Sequence, residues 1–321
     1  MVRENVMTVV VPCHNEQKTI KAFIEAILQV QQDLRQVEIE LLLVDDGSTD
    51  QTLNVIKELE NHYSDSIEYL SFSRNFGKEA GLYAGLKHAK GEYVAIMDAD
   101  LQDPPELLIE MYQMIQDPEV DVVATRRISR EGEPPVRSFF ASLFYKINNL
   151  ISRVQLAEGA RDFRLMKAQV VDAVVSLSEY NRFSKGIFSW IGFKVKYLEY
   201  PNIKRVAGQS SWSFRNLLDY AIDGLISFSD LPLAIASFLG FVSLGSAMIW
   251  GFYLLGAYLL FQVSASSISL LALLILVMGG FQFLCLGIIG KYLSKIFTED
   301  KRRPIYLVRE EKLFDSNNTD E

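Results

Sequence analysis

Short apolar runs alternate with helical stripes through the first 125 residues. Met7–Val11, Glu40–Val44, Ile67–Phe72, Tyr93–Met97 and Val120–Ala124 have strand length and little polar interruption. Between them lie helical patterns. The first runs to about Leu34 with Ile20, Phe23, Ile24 and Ile27 on one face, and Thr49–Tyr63, Lys78–Ala89 and Pro105–Ile115 follow. Uninterrupted apolar strands separated by amphipathic helices predict an α/β, Rossmann-like, mostly parallel sheet with helices on both faces. Ligands of such sheets bind beyond the carboxyl ends of the strands. Four successive strand ends here carry polar sets: "PCHNE", "DDGSTD", "SRNFGK" and "DADLQD".

Beyond residue 125 the pattern changes. Phe140, Leu143, Phe144, Ile147 and Ile151 form one stripe at helical spacing; Phe214, Leu217, Leu218, Ala221, Ile222, Leu225 and Ile226 form another. Both are expected to be helices lying in a membrane interface, with core packing the plainer alternative. From 231 to 290 no Lys, Arg, Asp or Glu occurs, enough for two spans of about twenty apolar residues each. The turn at Gln262–Ser267 divides them into spans near 232–261 and 268–290. The expected domains are therefore a cytoplasmic catalytic unit over 1–210, a juxtamembrane amphipathic helix over 211–230, a transmembrane hairpin over 231–292 and a cytoplasmic tail over 293–321, whose end "DSNNTDE" reads as disordered. The apolar run Val9–Val11 is too short for a signal peptide. Lys291, Lys295, Lys301, Arg302 and Arg303 after the second span place both ends on the cytoplasmic side of the cell membrane. Cys13 and Cys285 form no disulfide framework.

Charge divides along the chain. Residues 1–125 carry 9 basic and 23 acidic side chains, and residues 126–215 carry 16 basic and 7 acidic ones. A basic section next to membrane spans suits anionic head groups or phosphates. No nucleic-acid motif accompanies it, which argues against a nucleic-acid partner.

Asp98, Asp100 and Asp103 crowd the end of a buried strand, where their repulsion is costly. Side chains two apart on an extended segment point the same way, so Asp98 and Asp100 are expected to converge, and oxygen-only ligands suit Mg²⁺ or Mn²⁺. A solvated turn capping the helix at Pro105 is the plainer alternative. Asp45 or Asp46, and Glu16, are placed to accept from a base N–H or a ribose hydroxyl; Gly47 and Ser48 permit a tight turn, and Asp50 is a helix cap. Neither G-x-x-x-x-G-K-[ST] nor G-x-G-x-x-G occurs, which weakens ATP or NAD chemistry.

Taken in order, "VVVPCHNEQKTI", "LLLVDDGSTDQTL", "SRNFGKEAGLYAGLKHAKGEYVAIMDADLQDPPELL", "ARDFRLM", "NRFSKGIFSWIGF" and "RVAGQSSWSF" resemble the polyprenyl-phosphate glycosyltransferases. These are membrane relatives of dolichol-phosphate mannose synthase within inverting glycosyltransferase family two, which has the GT-A fold. The resemblance covers residues 6 to about 295 and includes the paired spans of the bacterial branch. It implies transfer of one sugar from a nucleotide-diphosphate donor, a UDP-sugar foremost, onto polyprenyl phosphate, for cell-envelope glycosylation. By similarity Pro12, Asn15, Glu16, Asp45, Asp46 and Lys78 contact the donor. Asp98, Asp100 and Gln102 organise the metal, with Asp98 and Asp100 also on the donor, and Arg205 closes over its diphosphate. Arg126, Arg127 and Arg137 receive the acceptor phosphate. Asp162 is a candidate base or acceptor-orienting carboxylate, against the plainer reading of a salt bridge to Arg161 or Arg164. Relatives of this kind often assemble as homo-oligomers. One departure stands out: Ser211 occupies a position where many relatives carry lysine, leaving Lys204 or Arg205 to meet the donor phosphates. A processive polysaccharide synthase would need more spans and a Q-x-x-R-W motif. A membrane-tethered nucleotide-sugar scaffold without catalysis is the rival from another class.

Overall fold

Valine, isoleucine and leucine favour a pleated, buried surface, and the apolar runs build the middle of an eight-stranded sheet. The computed structural model describes residues 2–127, 157, 159–200, isolated positions between 238 and 260, and 267–314. Strand β1 (Arg3–Cys13) lies between β2 (Glu38–Asp45) and β4 (Gly91–Ile96), and β3 (Ile67–Phe72) follows β2, all parallel. Helices α1 (Ile20–Asp33), α2 (Thr52–His62), α3 (Lys78–His88) and α4 (Leu107–Ile115) connect or follow these strands. The chain continues through β5 (Val122–Arg127), β6 (Ala160–Lys167), α5 (Ala168–Ser176), α6 (Ser184–Trp190), β7 (Val195–Tyr200), α7 (Ser267–Asp300) and β8 (Val308–Lys312). The strand order is β7-β5-β6-β4-β1-β2-β3-β8.

Alternate strand residues feed two cores. Met7, Val9, Val11, Leu41 and Leu43 pack under α1, α2 and α4, while Val10, Leu42, Val44, Val94 and Ile96 pack under α3, α5 and α6. Helix α3 lies close to the sheet because Gly81 and Gly85 face β1, and at each the missing side chain makes room for Pro12 or Val10.

Three strands lie outside the five that periodicity predicts. Strand β6 enters antiparallel between β4 and β5, so the sheet is mixed from its middle outward. Strand β7 pairs parallel with β5. The tail expected to be merely polar contains β8, which runs antiparallel along β3. Lys57 pairs with Glu310 at 2.6 Å, Lys312 with Glu60 at 2.5 Å, and Tyr306 stacks on Phe72 at 5.0 Å between centroids. This strand covers an edge that would otherwise present unpaired backbone groups. Helix α7 is joined to the sheet unit at its end, where the Glu299 carboxylate accepts the Tyr180 and Asn181 N–H groups at 2.9 and 3.1 Å.

Among the described residues no helix is long and apolar enough to cross a membrane. The expected span at 232–261 lies outside them apart from isolated positions. The second falls on α7, whose side chains are described only in part; Ile268, Leu271, Ile275, Leu284 and Leu286 there are each more than half exposed. The stripes at 140–151 and 214–226 and the end of the tail, 315–321, also lie outside the described residues.

Gly81 and Gly85 offer a controlled test of the α3 packing, since alanine gains the same helix propensity at both, about 1 kcal/mol. A Cβ at Gly85 would stand 2.1 Å from Val10 Cγ1, whereas at Gly81 its nearest neighbour is Pro12 Cβ at 3.2 Å. Chemical denaturation should show Gly81→Ala close to wild type and Gly85→Ala destabilised by about 1–3 kcal/mol. Equal stabilities would contradict this packing.

Candidate active site

The register of β6 against β4 decides which side chains meet. Tyr93 pairs with Lys167 and Ile96 with Arg164. Two positions further on, Asp98 lies just past the end of β4 and Asp162 on β6, close enough to share one cation, and like charges held this near repel. Lys78 stands between them. Its Nζ is 2.7 Å from Asp98 Oδ1, 2.9 Å from Asp98 Oδ2 and 2.7 Å from Asp162 Oδ2. Asp162 is thus paired with Lys78, and the Arg164 Nε donates to the Asp162 main-chain carbonyl at 3.2 Å.

The position of Lys78 follows from the loops before it. Lys78 is the first residue of α3, after Gly77 at φ +99°. The buried carboxylate of Asp46 accepts the N–H groups of Phe76 and Gly77 at 2.6 and 2.9 Å. Gly47, at φ +60°, lies so close to the Arg74 backbone that a Cβ would stand 2.3 Å from its carbonyl carbon. The end of β2 therefore sets the start of α3, and with it the ammonium.

Burial disfavours charge on all three groups, and their mutual attraction answers it differently at each. Asp162 and Asp98 outweigh desolvation at Lys78 and raise its pKa, so it remains protonated. At Asp162 burial is outweighed by Lys78, Lys185 and Arg164, which hold its carboxyl well below the usual carboxylate range. At Asp98 burial prevails over Lys78, with Asp162 and Asp100 adding to the rise.

Strand β4 ends at Ile96, so Asp98 and Asp100 sit in a turn rather than on one pleat. Leu101 takes φ +57° there, a left-handed conformation uncommon for a branched side chain. Asp100 is buried, and its Oδ1 accepts the Gln102 N–H at 3.1 Å. Asp103 accepts from Arg161 Nε at 3.3 Å and from the Tyr200 hydroxyl, and Arg161 Nη2 reaches Gln102 Oε1 at 3.3 Å. Nothing in the local sequence announces that Asp103 joins β6 to β7 in this way.

Of the residues assigned to the donor, Asp45 is buried and accepts from the Ser48 N–H at 3.1 Å and the Ser71 hydroxyl at 2.7 Å. Asn15, at φ +58°, accepts the Thr49 N–H at 2.9 Å, and the Glu16 N–H donates to Thr52 Oγ1 at 2.8 Å. Pro12 pairs in register with Val44. The two loops after β1 and β2 are thereby laced together at the same edge of the sheet. Asp50 Oδ1 accepts the Thr52 N–H at 2.9 Å at the start of α2.

Arg126 and Arg127 end β5, and Arg126 lies 3.8 Å from Glu199 on β7. Arg137, Lys204, Arg205 and Ser211 lie outside the described residues. Periodicity missed the tie between α3 and α6, where Glu79 Oε2 accepts the Ser184 N–H at 3.1 Å and its hydroxyl as well. It also passed over Lys185, one residue further on. The "FSKG" stretch held the only available signal, a lone lysine inside an otherwise apolar run.

Residues 8–175 match the family model described as Glycosyl transferase family 2. A putative glycosyltransferase of Bacillus subtilis, CsbB, is 39% identical over 308 residues, covering 96% of this chain and 92% of its own. The bactoprenol glucosyl transferase of Shigella phage SfV is 36% identical over 310 residues, covering 95% of this chain and 99% of its own. Among solved structures, a Pyrobaculum calidifontis mannosyltransferase in complex with GDP-Man and Mn²⁺ is 18% identical with a TM-score of 0.47, over 90% of this chain and 87% of its own, a likeness too loose to argue from.

The bridge between the carboxylates predicts strong non-additivity. Lys78→Met should lower the unfolding free energy by about 1.5–3 kcal/mol, the range for hydrogen bonds to charged groups. Asp162→Asn in that background should recover more than half of the loss, because the facing charges no longer repel. Additive losses in the double variant would show that Lys78 does not mediate between them.

Proposed function

The chain belongs to glycosyl transferase family 2, and on that premise we propose that it moves one sugar from a nucleotide-diphosphate donor to the phosphate of a polyprenyl carrier. The similarity to bactoprenol glucosyl transferases across nearly the whole of both chains carries this reading. The bond from the anomeric carbon to the donor diphosphate breaks, a bond to an acceptor phosphate oxygen forms from the opposite side, and the nucleoside diphosphate departs with the electron pair. A phosphate monoester has a second pKa of about 6, so the acceptor arrives ionised and needs no strong base. Asp162 fits a positioning role, since the charges around it keep it ionised and poorly suited to take a proton. The acidic strand ends of β1 to β4 would take the donor, with a UDP-sugar the first candidate.

Asp98, Asp100 and Gln102 offer only hard oxygen donors, and that chemistry fits Mg²⁺ or Mn²⁺. Asp98 already faces Lys78, and among the described residues no group of three or more His, Cys, Asp or Glu is arranged to hold a metal. A divalent ion here would take much of its coordination from the donor's phosphates and water. When bound it would supply charge stabilisation on the departing diphosphate. Asp98, Asp100 and the Lys78 ammonium beside them would hold and orient that end of the donor.

The reading includes the membrane. A lipid acceptor and a water-borne donor must meet at a surface, and the uncharged stretch from 231 to 290 is long enough for two spans. In this arrangement the hairpin returns the chain to the cytoplasmic side, and α7 continues into β8 on the catalytic sheet. A homo-oligomer is compatible with it.

Purified full-length protein should lose transfer to undecaprenyl phosphate with chelator and regain it with Mg²⁺ or Mn²⁺. Asp100→Asn should lower turnover by about two orders of magnitude or more, the scale of lost charge stabilisation in a transition state. Undiminished turnover in that variant would leave Asp100 as a turn residue. A second prediction concerns topology. Reporters at residue 5 and after residue 305 should both read cytoplasmic, with the turn near Ser266 external; an external reading at either end would break the two-span arrangement.

A further inference from the structure

On the face of the sheet that carries α3 and α6 lies a cavity of about 210 Å³, reached by Ala160 and Arg164 of β6. It is smaller than the roughly 300–1,000 Å³ of pockets that engulf a whole small ligand, so it suits one end of a longer molecule. Its lining is divided by chemistry. Arg164 and Lys185 contribute cations, while Ala160, Phe188, Phe193 and Tyr197 contribute apolar and aromatic wall. Arg164 is buried, with its guanidinium 3.6 Å from the centre of the Phe188 ring, which holds the charge in place. Arg164 is two residues from Asp162 on the same face of β6, and its Nε donates to the Asp162 main-chain carbonyl at 3.2 Å, so this end of the cavity is near the strand position that carries the Lys78 bridge.

Strand register ties the cavity to the basic end of β5. Ala124 pairs with Arg164 on one side and Tyr197 on the other, and Arg126 pairs with Ala160 and Glu199. Residues two apart on a strand share a face, so Arg126 stands one step along the sheet from the cavity lining. It lies 3.8 Å from Glu199, two residues along β7 from Tyr197.

We infer that this cavity receives the phosphate and first prenyl unit of the acceptor lipid, with Lys185 and Arg164 on the phosphate and Phe193 and Tyr197 against the chain. The assignment rests on the proposed function and names the place where its acceptor docks. It moves the principal phosphate contacts from the end of β5 to β6 and α6, leaving Arg126 at the rim. An anionic head with an apolar tail matches a site that is cationic at one end and aromatic along its wall, and the head would lie beside Asp98 and Asp162. A free nucleotide has no apolar tail for that wall.

The test uses the full chain in detergent with farnesyl phosphate, farnesol and inorganic phosphate as probes. Lys185→Gln should weaken farnesyl phosphate at least about tenfold, the scale of one lost charge-assisted contact, and leave farnesol unchanged. Tyr197→Ala removes an already half-exposed ring, so folding is spared; it should weaken farnesyl phosphate and farnesol together and leave inorganic phosphate unchanged. In turnover both variants should raise the KM for prenyl phosphate with the nucleotide-sugar KM within about twofold. Farnesyl phosphate affinity near wild type in both variants would overturn the assignment, and so would a loss confined to the nucleotide sugar. A wild type that binds farnesyl phosphate through Lys185 yet transfers no sugar would count against the proposed function and in favour of the cavity.

Discussion

Two carboxylates, one just past the end of β4 and one on β6, meet a single lysine from a third element at the end of an antiparallel joint. Asp98 follows β4, Asp162 lies on β6, and Lys78 opens α3. Without the ammonium, the end of the β4–β6 joint would hold two negative charges near one another in a partly buried place, where their repulsion is weakly screened. Much of the nearby architecture bears on where that ammonium stands. Asp46 holds the backbone before α3, and Gly47 allows the β2 loop to approach Arg74. Gly85 lets α3 lie against Val10, and Glu79 ties the same helix to α6.

The same joint separates two chemistries. On one side, parallel strands β1 to β4 end in laced polar loops with an acidic balance. On the other, β6 and α6 bring Arg164 and Lys185 to a cavity walled by Phe188, Phe193 and Tyr197, with Arg126 further along β5. A glycosyl transfer between a nucleotide sugar and a phosphate has two anionic partners that must approach each other, and a seam with cations on the acceptor side suits that encounter. Helix α7 and β8 bind the far end of the chain to this unit, through Glu299 on the Tyr180 and Asn181 backbone and through the β3 edge.

Elements whose own residues decide their conformation were legible in the sequence. Ile67–Phe72 is a strand at the predicted bounds, and the other four predicted strands and the four helices lie within a few residues of expectation. The ends of these strands marked the site, because carboxylates at a buried edge are costly unless they serve a purpose. Pairings set by register were not legible. In "ARDFRLM" charged residues occupy both faces of the strand, so no alternation betrayed β6, and without β6 the partner of Lys78 could not be named. Strand β8, "VREEK", is polar because it covers an exposed edge, and its pairing depends on β3 rather than on any pattern of its own. Asp45 and Asp46 read from the sequence as donor contacts, and only their burial and their N–H partners show how firmly they hold the loops.

The most direct measurement is mass spectrometry of the lipid product after purified protein is incubated with undecaprenyl phosphate and a panel of nucleotide sugars, UDP-glucose first. The account predicts that one donor gives the lipid phosphate increased in mass by a single sugar residue, with the nucleoside diphosphate released in equal amount. Failure to modify the lipid with any donor, or repeated addition of sugars to one lipid, would contradict it.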